Sequence, residues 1–459
     1  MQMTGFLFLR RWCQRKALDP MNSSLRLGEN IFVGESKFPC CIERLLGDGG
    51  QGKVYQVNMQ GQSLALKWYR DHAATASQYE SLKFLVKRQP PTPFFLWPLD
   101  LAHSDHASGF GYVMALRDPE YRDLADLIGG KVSATFRSRA WLGYQLATAF
   151  LALHKDGLCY RDISFGNAFF HPETGNALIC DNDNVTIDDD PNGNILGTPK
   201  FMAPEIVCGR ARPSSQTDRF SLAILIFRIL MLDHPLEGAL EAAVDLFTEE
   251  DSTRLYGTDP VFIHDPRDAS NRPVPGVHDA AIVYWDIYPS FIKDLFIQSF
   301  TGGLLDPARR VVDSQWRQAM IQLRDSVFYC RHCSAENFYD PIALRTRQGG
   351  AGFCWNCGQG LALPARMRIG NEVVVLEYDF QLFPHHIDSQ RLWNFDEPVG
   401  RLVQNPSNPS MWGLENLSLS KWTFCAPDGS LMDVPPGKRA SLVARSKIMF
   451  GSRTGEIAI

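Results

Sequence analysis

Nowhere does the chain carry the roughly 20 consecutive apolar residues that a bilayer-crossing helix needs. Its longest contenders, such as residues 222–232, are interrupted by Arg228 and suit a buried core helix; no membrane partner is expected. A basic excess is also missing. Lys and Arg number 46 against 51 Asp and Glu, for a net charge of −5, so a general nucleic-acid binder is not expected either. Internal repeats and low-complexity segments are absent. Cysteine is too sparse for a secreted disulfide scaffold, at 11 in 459 residues, and a reducing cytoplasmic setting is expected. The start of the chain lacks the charge order of a signal peptide: the short apolar run 6–9 precedes, rather than follows, Arg10, Arg11, Arg15 and Lys16. Residues 1–35 read as an irregular leader, with Met21 an alternative start.

What is present is ordinary globular material, 45% apolar and 21% charged, in a length that suits two to four domains. From residue 36 to 328 strand-like and helical patterns alternate. Strand-like runs at 41–46, 53–57 and 64–68 precede a helical spacing at 76–86. A proline-rich stretch and a further strand at 111–116 lead into longer helices, clearest at 141–154 and 220–232. A small β-rich lobe followed by a larger α-rich lobe is the expected order. Residues 329–363 form a compact cysteine-bearing module, and 364–459 turn to short β runs at 373–378, 414–419, 441–443 and 448–450.

The first chemical signal is Gly47-Asp-Gly49-Gly50-Gln-Gly52, followed by Val54. Glycines allow tight turns and let amide N–H groups approach phosphate oxygens. Alone, the run reads better as a plain hairpin turn, and its place between two strands disfavours a dinucleotide fold, which needs a helix next. Lys67 follows in Leu64-Ala65-Leu-Lys67-Trp68. A lysine among apolar strand residues needs a charge partner if buried, or snorkels to water at an edge. Glu80, the one glutamate between Lys67 and Val86, is the expected partner. Next come Tyr160-Arg161-Asp162-Ile-Ser164-Phe-Gly-Asn167 and Asp181-Asn182-Asp183.

In this order of motifs the chain resembles the eukaryotic-like protein kinase superfamily. Gly197-Thr198-Pro-Lys-Phe-Met-Ala203-Pro204-Glu205 resembles the end of a kinase activation segment. Asp218-Arg-Phe-Ser221 resembles the start of the helix that supports the catalytic loop, and Arg310 the late arginine that pairs with Glu205. The resemblance implies an α+β, bilobal kinase fold using ATP and Mg²⁺ or Mn²⁺. Lys67, held by Glu80, would contact the α- and β-phosphates. Gly47, Gly49, Gly50 and Gly52 would cover them, with Val54 and Ala65 beside the nucleotide. Asn167 and Asp181 would hold the metal, and Asp162 would orient the acceptor hydroxyl and take its proton.

Departures from the family pattern carry their own expectations. Tyr160 replaces the usual His. Ser164 stands where protein Ser/Thr kinases carry a lysine on the γ-phosphate, which predicts slower chemistry. Asp183 adds a second carboxylate to the metal motif. The run Asp188-Asp189-Asp190 either attracts Arg161 in place of an activating phosphate or is a solvated turn.

Cys330-x2-Cys333-x20-Cys354-x2-Cys357 has the spacing of two knuckles sharing one tetrahedral Zn²⁺, a closed and therefore structural site; redox dithiols or inert thiols are the alternatives. His332, His385 and His386 are expected at the surface. The tail reads as an all-β sandwich-like domain. Gly400-Arg401 and the final residues faintly resemble forkhead-associated domains, but the Ser-x-x-His element is missing, which favours a generic interaction module. Kinase, zinc ribbon and β tail together are similar to bacterial kinases of tellurite-resistance-associated phosphorylation triads. That resemblance implies a PP2C-like phosphatase and a von Willebrand A-type protein as partners. The expected function is ATP-dependent phosphorylation of Ser/Thr in protein substrates. The alternatives are a nucleotide-binding pseudokinase scaffold and a kinase for small-molecule hydroxyls.

Overall fold

In the computed structural model, which describes residues 25–190, 196–347, 349–388, 390 and 393–459, alternating apolar residues close the first lobe into a barrel. Its strands are β1 (Asn30–Val33), β2 (Phe38–Asp48), β3 (Gly52–Met59), β4 (Gln62–Tyr69), β5 (Asp100–His103) and β6 (Gly111–Ala115), joined in the order β1-β2-β3-β4-β6-β5. Strand β1 and the buried Leu25 fall within what reads as leader, so the lobe begins before residue 36; residues 1–24 lie outside the described residues. The apolar stripe Leu82 and Leu85 seats helix α1 (Ala76–Val86) on the barrel, and Thr75 caps it by accepting from the Gln78 amide.

The second lobe is built on α2 (Phe136–Lys155) and α3 (Ser215–Met231). Helix α3 is apolar almost all round from Phe220 onward, and that stretch is buried except at Arg228, as such a helix must be. Helices α4 (Ser290–Phe300) and α5 (Asp313–Asp325) complete the lobe. Helices α2 and α5 approach so closely that a Cβ on Gly143 would stand 2.6 Å from Met320 Sδ.

The cysteine module follows α5 directly. Its hairpin pairs Val327–Tyr329 with Glu336–Phe338, and it packs on the start of α2. Glu336 accepts from the Phe136 and Arg137 amides, Phe338 stacks near Phe136 and Tyr288, and Asp340 accepts from the Ser290 amide. A cavity of about 630 Å³ remains at this junction. Beyond it, a six-stranded and a four-stranded antiparallel sheet share one core that includes Met367, Ile369, Leu382, Leu414, Trp422 and Ile457. This is a two-sheet sandwich. His385 and His386 are not at the surface. Both are buried beside Phe383 and Phe395, and His386 Nε2 meets Asp325 at 3.0 Å.

Candidate active site

The glycine-rich run is the turn between β2 and β3, where Asp48 faces Lys53 and the Gly49 amide donates to Gly52 O. Only glycine fits at position 52, because a Cβ there would stand 2.4 Å from Trp68 O. Val54 faces Lys67 across the β3–β4 ladder. Below the turn, Val54, Leu116, Leu178 and Cys180 are partly buried against Ala65 and Met114, an apolar floor of the kind a nucleobase occupies. Of these, sequence reasoning named Val54 and Ala65 alone.

Lys67 sits at the inner end of β4 with 4% of its surface exposed. Its partner is not Glu80. Lys67 Nζ lies 3.0 Å from both carboxylate oxygens of Asp183 and 3.3 Å from Asp181 Oδ1, with Gln51 Oε1 at 3.3 Å. Glu80 points outward, its side chain 61% exposed, and pairs with Lys83 at 3.8 Å. Helical phase explains the correction. At about 100° per residue, position 80 lies about 200° around the helix from position 78, and residues 78, 82 and 85 share the inward face. Gln78 is therefore the helix residue that reaches in, donating to Tyr69 Oη (3.1 Å) and to Asp183 O (3.2 Å). Burial pushes the Lys67 ammonium down, but Asp183 and Asp181 outweigh it and hold the group at about 12.

Asp183 is likewise not a spare metal ligand. It is buried and accepts from Lys67, from Tyr69 Oη and from Tyr112 Oη (3.1 Å). Burial first, and then this carboxylate, pushes both tyrosine hydroxyls well above their usual range. The middle residue of the tripeptide, Asn182, is fully buried and donates to Leu96 O and Ile179 O. Asp181 adopts φ +52°, which turns its carboxylate back toward Lys67. Burial raises the Asp181 carboxyl, Lys67 opposes this, and Asp183 adds to it.

The catalytic-loop residues converge from another direction. Asn167 Nδ2 donates to Asp162 O (2.8 Å) and Asp162 Oδ2 (3.1 Å), which leaves Asn167 Oδ1 as the atom for a metal. The Cys180 amide donates to Asn167 O at 2.9 Å, tying the strand before Asp181 to this loop. Thr198 Oγ1 donates to Asp162 Oδ1 at 2.6 Å. From below, Asp218 accepts from the Tyr160 amide (2.6 Å), the Arg161 amide (3.0 Å) and His154 Nε2 (3.2 Å). Tyr160 Oη donates to Cys180 O, so this aromatic is bonded to the residue just before Asp181. Arg310 forks onto Glu205 at 2.8 and 2.7 Å. In the acidic run, Asp188 accepts from Ser215 N (2.7 Å) and Ser215 Oγ (2.6 Å) at the start of α3, while Arg161 Nε donates to Asn184 O. Asp188 thus serves the helix.

Asn167 and Asp181 offer the hard oxygen donors that Mg²⁺ takes beside nucleotide phosphates. The four cysteines converge as well. Cys330 and Cys357 sulfurs lie 3.7 Å apart, as do those of Cys333 and Cys354, and all four lie within 4.8 Å. Four sulfurs about 2.3 Å from one tetrahedral ion would be separated by about 3.8 Å. The donor set therefore fits a closed thiolate site, and the Asn337 and Asn356 amides lie 3.7 and 3.6 Å from its sulfurs.

Residues 41–254 match the family model described as the protein kinase domain. Among similar proteins, a serine/threonine-protein kinase of Myxococcus xanthus (pkn2) is 28% identical over 43% of this chain and 25% of its own length. The serine/threonine-protein kinase plk-2 of Caenorhabditis elegans is 27% identical over 46% of this chain and 31% of its own. Glycogen synthase kinase 1 of Pyricularia oryzae is 30% identical over 23% and 27%. The chain spans less than a third of the length of each of these relatives. The Arg310–Glu205 pair ties residues beyond the matched stretch into the same lobe.

Proposed function

We propose that this chain is an ATP- and Mg²⁺-dependent protein kinase that transfers the γ-phosphoryl group to serine or threonine. The observation that carries the reading is the convergence on Asp162, whose two carboxylate oxygens are engaged by Asn167 and Thr198. That arrangement orients an acceptor hydroxyl beside the two metal donors, and positioning with charge neutralisation is most of what phosphoryl transfer needs. The retained Lys67, Asn167 and Asp181 support an active enzyme over a scaffold. Thr198, in the segment ahead of Ala203-Pro204-Glu205, supports a peptide acceptor over a small molecule.

Labelled-ATP transfer and intact-mass analysis of the purified chain, beside Asp162→Asn, test the reading. Phosphorylation of the chain or a generic substrate is expected, lost in the variant, with mapped sites on serine or threonine. Mg·ATP binding without transfer would favour the scaffold. The same preparation is expected to hold one zinc per chain on Cys330, Cys333, Cys354 and Cys357, as a structural clamp under the large lobe. Cytoplasmic signalling alongside a PP2C-like phosphatase and a von Willebrand A-type protein rests on the resemblance in domain order alone. Among the described residues no helix is long and apolar enough to cross a membrane.

A further inference from the structure

We propose that Asp183 is the positioning residue for the phosphate-binding Lys67, and that the ion pair assembling the site has moved from helix α1 into the metal-binding tripeptide. The proposal rests on reading the cleft as a nucleotide site. Four observations carry it. Lys67 Nζ is equidistant, at 3.0 Å, from the two oxygens of a fully buried carboxylate. Two tyrosine hydroxyls, from β4 and β6, fix that carboxylate from behind. Glu80 stands outside. Finally, the helix residue that does face the cleft, Gln78, is uncharged and bonds to Tyr69 and to the Asp183 backbone rather than to Lys67.

The consequence is mechanical. Asp181 would hold the metal and Asp183 holds the lysine, two residues apart on one turn, so metal and phosphate contacts are set by a single tripeptide. Swinging α1 away from the barrel would not remove the carboxylate from Lys67. The site is then assembled without the helix supplying a charge, and Gln78 acts as a brace on the turn.

Three variants test this by KM for ATP, kcat, and displacement of a fluorescent ATP analogue in Mg²⁺ buffer. Asp183→Asn keeps the shape and removes the charge. It is expected to lower kcat/KM at least 100-fold and to weaken Mg·ATP binding, with the helix content and melt of a folded protein. Glu80→Gln is expected to stay within twofold of wild type in every readout. Gln78→Glu added to Asp183→Gly returns a carboxylate from the helix side, and is expected to recover at least tenfold of what Asp183→Gly loses. Rescue of that kind does not follow from a merely structural role. Equal losses in Glu80→Gln and Asp183→Asn would overturn the proposal, as would wild-type kinetics in Asp183→Asn. Should Asp183→Asn fail to fold, the paired variant decides, and absence of rescue in folded protein overturns the idea. If the wild-type chain binds Mg·ATP but transfers to no acceptor, the kinase reading fails while the nucleotide displacement still decides the role of Asp183.

Discussion

Arg310 in the large lobe and Lys67 in the small lobe are both buried cations, and they are held in opposite ways. Arg310 forks its two terminal guanidinium nitrogens onto Glu205, and two further N–H groups reach Gly303 O and Gln216 O. Every partner belongs to a helix or its immediate flank, so the pair staples segments that have no reason to move. Lys67 divides three donors among Asp183, Asp181 and Gln51, all of them on turns that border the cleft. A planar fork with fixed partners suits a permanent joint. A point charge shared between carboxylates suits a site where phosphates must later take up some of those contacts. The same type of interaction is architecture in one lobe and chemistry in the other.

The sharpest break of that comparison is to remove each cation in turn. Arg310→Met leaves Glu205 without its partner, and a broken buried pair costs about 3–5 kcal/mol. A large fall in denaturation midpoint is expected, with kinetics lost only as folded protein is lost. Lys67→Met leaves Asp183 with two tyrosine donors, so the melting point should fall less while transfer falls at least 100-fold. Similar melting losses in the two variants would show that the small-lobe pair is a staple too.

A second, smaller effect concerns the joint beneath the catalytic loop. His154 lies between Asp218 and Asp313, at 3.2 and 3.1 Å. Burial pushes its imidazole down, but hydrogen bonds to the two carboxylates outweigh this and hold it at about 9. A group whose folded pKa exceeds its unfolded value stabilises fully below the unfolded pKa, here about 6.5, and loses that contribution as pH rises through about 9. The contribution is on the order of 3 kcal/mol. Between pH 6.5 and 10 the wild-type midpoint should therefore fall more steeply than that of His154→Gln. Parallel curves would mean that the imidazole is neutral in the fold. Because Asp218 also accepts the Tyr160 and Arg161 amides, the catalytic loop is expected to loosen over the same alkaline range.

How much of this was legible in the sequence depended on whether the needed information was local. The strands at 41–46, 53–57 and 64–68 and the helix at 76–86 follow from periodicity, and they lie within or on the observed elements. The gathering of the four cysteines follows from a short motif whose spacing is fixed by the chemistry it performs, whereas the pairing of Arg310 with Glu205, 105 residues apart, is implied by the resemblance to kinases alone. Glu80 is the one glutamate between Lys67 and Val86, but residue type alone takes no account of helical phase. Leu82 and Leu85 already marked the inward face, and position 78 lies on it. The role of Asp183 needed Tyr69 and Tyr112, which meet it from 114 and 71 residues away, and no local pattern joins such positions. The burial of His385 and His386 is hidden from the sequence for a similar reason. Their burial depends on Asp325 and the aromatic rings packed around them, contacts between domains that one strand's alternation does not encode.

The smallest expected effect bears directly on the contrast between the two faces of α1. Glu80 meets Lys83 at 3.8 Å across one helical turn in the open, and such exposed pairs contribute about 0.5 kcal/mol or less. Glu80→Ala should leave the denaturation midpoint almost unchanged, since alanine also has the better helix propensity. Gln78→Ala, by contrast, deletes bonds to Tyr69 and Asp183 and should cost about 1–2 kcal/mol. The two substitutions lie two residues apart on one helix, so any general effect on helix formation is shared and cancels in the comparison. If Glu80→Ala proved the costlier, the helix would have to rotate by about half a turn in solution. That rotation would carry Leu82 and Leu85 out of the core, and the carboxylate holding Lys67 would again come from α1.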